Sequence, residues 1–198
     1  ALTTLRAALG DKDAEFPILL ADSLHVQLDP ACQINSDVAQ FQAALQSTDA
    51  HIHRSWRACP SCAEQLQAAL ALYSGPFLAD VLVPDSDVFE EWATGQREHI
   101  QQRALSALAH LIERLEWRED YSAALPYARQ LVALEPLLEA NQRTLLRLLA
   151  LNGEPAAALA QFRQFSALLA AELDAEPEAA TTALISQIRR GATTDLAP

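Results

Sequence analysis

Methionine is absent from the 198 residues, and there are only five glycines, ten prolines and three cysteines. Cys32, Cys59 and Cys62 are odd in number and too few for a disulfide framework, which fits a reducing compartment. Basic side chains are scarce as well. The 14 Lys+Arg against 26 Asp+Glu leave a formal net charge of -12, and holding a phosphate backbone takes a surface of the opposite sign. No stretch approaches the ~18 uninterrupted apolar residues of a membrane span. The opening Ala1-Leu2-Thr3-Thr4-Leu5-Arg6 has neither the charge pattern nor the apolar run of a secretory signal. A cytoplasmic chain with no membrane partner is expected, and a start at Ala1 without Met reads as a segment of a longer protein. Nucleophile elbows, phosphate-cradling glycine loops and metalloprotease helices are missing too, so the sequence does not read as an enzyme.

What the chain does have is Ala and Leu. Hydrophobic residues make up 51% of it and charged residues 20%, enough to bury a sizeable core in a mostly helical fold. Leu2, Leu5, Ala8 and Leu9 follow a helical stripe that stops at Gly10. Phe16 to Leu20 and Leu24 to Leu28 are two short runs around Ala21-Asp22-Ser23, the second alternating at period 2, and predict a β-hairpin closed by Asp29-Pro30. Ser36 or Asp37 then caps a helix carrying Val38, Phe41, Ala44 and Leu45. A second helix is expected from about Ala63 to Tyr73, ended by Ser74-Gly75-Pro76. Asp85-Ser86-Asp87 caps a long helix running to Trp117.

The last half matches itself at an offset of 34 residues. Leu111, Ile112, Leu115, Ala124 and Leu125 fall on Leu145, Leu146, Leu149, Ala158 and Leu159, and the polar breaks Glu119-Asp120 and Gly153-Glu154 coincide. Each unit is then two helices joined by a tight turn, and neighbouring units stack to bury what neither buries alone. Small residues, Ala124 and Ala128 in one unit and Ala157 and Ala158 in the next, allow the ~8–10 Å approach of packed helices. Asp120-Tyr121-x-x-Ala124 and Leu134-Glu135-Pro136 read like the second helix of a tetratricopeptide repeat. The first helices match less well, since Leu108 falls on Gln142. The fold class expected is all-α, tetratricopeptide-like helical hairpins with a short N-terminal β-hairpin.

Several segments, in this order and spacing, resemble one family: Leu5-Arg6-Ala7-Ala8-Leu9-Gly10, Asp37-Val38-x-x-Phe41, Leu72-Tyr73-Ser74-Gly75-Pro76-Phe77-Leu78, Phe89-Glu90-Glu91-Trp92 with Arg97-Glu98, and Leu169-Ala170-Ala171-Glu172-Leu173 with Glu176-Pro177. The chain is similar to the bacterial transcriptional activator domain of antibiotic-pathway regulators and related large signalling regulators. The resemblance implies a winged-helix DNA-binding domain before it. Residues 1–30 would be the end of that domain, a helix end and the wing hairpin, and residues 31–198 the helical-repeat domain. DNA would then be bound through the parent protein's N-terminal domain, most of which lies outside this segment. This piece would bind protein, either a sister subunit in a homodimer or the transcription machinery. The repeat register puts Glu113, Arg143 and Arg147 on the first-helix face where such a partner would dock. The alternative for all three is a solvated surface.

One constellation carries metal chemistry. His51, His53, Cys59 and Cys62 form H-x-H-x5-C-x2-C, four borderline or soft ligands, and Cys-x2-Cys lets two thiolates grip one Zn²⁺. A site closed by all four would be structural and make the domain a zinc-stabilised or metal-responsive switch, with no other cofactor implied. The competing reading makes both cysteines small apolar fillers beside the helix that follows and both histidines solvated. A thioredoxin-like reading needs a βαβ context that the pattern lacks.

Overall fold

A computed structural model describes residues 1–12, 15, 17–32, 35–52 and 55–191, in two compact units that divide between Ala39 and Gln40. In the first unit, helix α1 (Leu2–Ala8) precedes an antiparallel hairpin of β1 (Leu19–Ala21) and β2 (Val26–Leu28), with Leu19 opposite Leu28 and Ala21 opposite Val26. Its anchor is Asp11, whose carboxylate is buried. Asp11 accepts from the backbone N–H groups of Ile18 and Leu19 and lies 3.7 Å from the Arg6 guanidinium, which itself donates to the Leu19 carbonyl. The expected hairpin is present with shorter strands. Its turn is fixed by Asp22, which accepts from the N–H groups of Leu24 and His25 at 2.7 Å each. Phe16 of the expected first run lies outside the described residues.

Among the described residues, seven α-helices follow: α2 (Asp37–Ala50), α3 (Pro60–Leu72), α4 (Asp87–Trp117), α5 (Tyr121–Leu134), α6 (Glu139–Leu151), α7 (Pro155–Leu173) and α8 (Ala179–Arg189). Ser36 Oγ accepts from the Ala39 N–H and so caps α2 as expected. The second helix begins at Pro60, three residues before the expected start. Proline suits the first helical position, because its missing N–H is one the helix leaves unpaired anyway. In the second unit α3 packs on α4, α4 on α5, α5 on α6, α6 on α7, and α8 on both α6 and α7.

The 34-residue register is visible in the backbone. Asp120 N–H donates to the Leu115 carbonyl at 2.9 Å and Glu154 N–H to the Leu149 carbonyl at 2.8 Å. Glu119 and Gly153, one period apart, both take left-handed φ values, 57° and 81°. The two hairpins therefore turn through the same Schellman closure. Leu111, Ile112, Ala124, Leu125, Leu145, Leu146, Leu149 and Ala158 are all buried, and Ala124, Ala128 and Ala158 are 0% exposed at the helix crossings. The Leu108 and Gln142 pair is also fully buried. The Gln142 amide donates to the Pro136 carbonyl at 2.8 Å and accepts from Gln161 at 3.0 Å, so a polar side chain occupies an apolar repeat position with its hydrogen bonds made. Helix α8 contributes Thr181, Ile185 and Ile188 to this core.

Candidate functional site

Among the described residues, the segment between α2 and α3 contains a 3-10 turn, Trp56–Ala58. Cys59 takes an extended conformation just before α3, and Pro60 then turns the chain into the helix. Cys62, in the first turn of α3, points into the core, Cys59 is half-buried, and His51 is exposed just past the end of α2. His51 Nδ1 lies 3.0 Å from Cys62 Sγ and 3.6 Å from Cys59 Sγ, and the three ligand atoms lie within 4.8 Å of one another. His53, the fourth member of the sequence pattern, lies outside the described residues. Cys32 belongs to the first unit, with its Sγ 4.0 Å from the Pro17 carbonyl.

The two thiols have opposite environments. The backbone N–H of Cys62, at the start of α3, holds the Cys59 thiol below its ordinary range, while burial pushes the Cys62 thiol up. Arg114 of α4 fixes the segment from beneath. Its Nη1 donates to the Cys59 carbonyl at 2.8 Å and also to the Arg57 carbonyl. The Trp56 ring packs against His110 in a tilted contact, with centroids 5.0 Å apart and planes at 55°. Next to that ring pair is a cavity of about 310 Å³ lined by Leu45, Asp49, Trp56, Leu66, Arg103 and His110, with Arg103 donating to Asp49 at 2.7 Å.

The three residues expected on the partner face all occupy first helices, and each has an internal counter-charge. Glu113 of α4 accepts from Arg57 Nε at 2.7 Å. Arg147 of α6 donates to Glu116 of α4 at 2.6 Å. Arg143 of α6 donates to Glu178 at 2.7 Å and to Thr181 of α8 at 3.1 Å, with Glu139 at 3.8 Å. Successive first helices are thus linked by charge from the 3-10 turn to α8. The sequence pattern missed Arg57, Arg114, Glu116 and Glu178, because a pair such as Glu116 and Arg147 is 31 residues apart, outside any helical spacing rule. Burial pushes the Glu116 carboxyl above its ordinary value, against the pull of Arg147.

Two of the segments that carried the resemblance, residues 72–78 and 89–98, meet at Arg97. Its guanidinium donates to the carbonyls of Phe77 at 2.9 Å and Leu78 at 3.2 Å and lies 3.7 Å from Glu90. Phe77 and Phe89 each place a ring within 5.8 Å of Trp92. The Leu-Tyr-x-Gly-x-Phe-Leu loop is therefore fastened to α4 by an arginine and an aromatic cluster. Among the described residues no helix is long and apolar enough to cross a membrane. No curated protein matches the chain. A family model does match it, over residues 36–189, and its description is bacterial transcriptional activator domain.

Proposed function

Because the chain belongs to the bacterial transcriptional activator domain family, we propose that it serves a transcriptional activator by binding protein and not by catalysis. The observation that supports this reading is the stack of helix hairpins, whose first helices carry Glu113, Arg143 and Arg147. Arrays of this kind present one continuous face to a partner. Each of the three side chains keeps part of its surface in water, with 43%, 30% and 26% of it exposed. An internal counter-charge holds each in one rotamer, which lowers the ordering cost of docking. The partner is a sister subunit or a component of the transcription machinery. DNA is reached through a winged-helix domain of the parent protein, of which residues 1–30, with α1 and the β1–β2 hairpin, are the end. The net charge of -12 leaves DNA affinity to the rest of that domain.

Charge exchange tests the reading without opening the stack. In the double variant Arg57→Glu/Glu113→Arg the ion pair is kept with its direction reversed. Self-association by sedimentation equilibrium and capture of the transcription machinery by the parent regulator are the two readouts. Loss of one of them with an unchanged melting temperature is the expected result. Both unchanged, with the same outcome for Arg143→Ala and Arg147→Ala, rejects this face as the docking surface.

A further inference from the structure

We propose that His51, Cys59 and Cys62 bind one zinc ion, which clamps the end of α2 to the start of α3. In a tetrahedral site with Zn–S of ~2.3 Å and Zn–N of ~2.05 Å, sulfur and nitrogen ligands lie about 3.6 Å apart. His51 Nδ1 and Cys59 Sγ are at 3.6 Å, and His51 Nδ1 and Cys62 Sγ at 3.0 Å, so both nitrogen–sulfur spacings are at or a little inside that value, and all three ligand atoms lie within 4.8 Å of one another. Two thiolates and a neutral imidazole balance the charge of Zn²⁺, and this soft donor set favours zinc over magnesium or calcium.

The backbone already holds the ligands in place. Pro60 starts α3 so that Cys59 stands at its N-cap and Cys62 in its first turn, and Arg114 secures the Cys59 carbonyl from α4. His51 approaches from the opposite side, at the end of α2. One ion therefore ties the end of α2 to the start of α3 across the segment that holds the 3-10 turn Trp56–Ala58. A groove of about 350 Å³ lined by Ser47, Thr48, His51, Ser61, Cys62 and Gln65 adjoins the cluster. Among the described residues no carboxylate joins the cluster. A donor set of two thiolates and an imidazole suits a structural role.

The test uses the whole chain, kept reduced, stripped with a chelator and titrated with zinc chloride. One zinc per chain is expected, with a melting temperature raised by about 5–15 °C in excess metal. Cobalt(II) in place of zinc should give a thiolate charge-transfer band. Cys59→Ser and His51→Ala, at half-buried and exposed positions, should each weaken zinc binding by at least about tenfold, while Cys32→Ser binds as the parent does. Because Cys62 is also a core side chain, the two more accessible ligands carry the test. The proposal is overturned by sub-stoichiometric zinc, by equal binding in the Cys59 and His51 variants, or by stoichiometric binding that leaves the melting temperature unmoved.

Discussion

At the scale of single residues, Glu119 and Gly153 show what a shared turn demands. Both stand at left-handed φ, yet only one is glycine. A non-glycine side chain in that region costs roughly 1–2 kcal/mol, and glycine's own chain entropy returns about 0.5–1 kcal/mol of any gain. Glu119→Gly should therefore stabilise the protein by about 0.5–1 kcal/mol. Gly153→Ala, where a Cβ meets nothing within 4 Å, should cost about 1 kcal/mol from backbone strain alone. Urea unfolding of both variants measures the two values, and equal effects of the same sign would contradict the shared turn. The offset of 34 pairs these two residues, so the turn is legible in the sequence. Gln142 is not. Hydrophobic periodicity counts a glutamine as a mismatch, and nothing local shows that Pro136 and Gln161 satisfy its amide.

At the scale of elements, most helices are legible to within a few residues, because each carries its own stripe, cap or terminating Gly or Pro. The segment from 51 to 62 is harder. Cys-Pro-Ser-Cys reads as loop, with α3 expected only from Ala63, since a pattern of metal ligands and a helix N-terminus with proline at its first position look alike along a chain. What orders this segment is long-range. Arg114 is 57 residues from Arg57 and 55 from Cys59, the two carbonyls it holds. Arg114→Met keeps the buried stem and removes both donors. Leaving two part-buried carbonyls without partners should cost about 2 kcal/mol. Arg118→Met, exposed at the end of α4, should stay within about 0.5 kcal/mol. Denaturant midpoints for the pair decide it, and equal values would mean that Arg114 is not what fastens the segment to α4.

At the scale of the whole molecule, the repeat half is the more legible part, because a stacked array writes its fold into a period, whereas α2 and α3 have no internal copy to be compared with. The role of α8 is the part that the register alone does not supply. It buries Ile185 and Ile188, packs on α6 and α7 and receives Arg143 through Glu178 and Thr181. The proposed partner face requires residues 97–191 to be a self-supporting stack. Far-UV circular dichroism of that fragment during a thermal melt tests this most directly. A helical spectrum lost in a single cooperative transition is the predicted result, and a disordered spectrum at low temperature would contradict it.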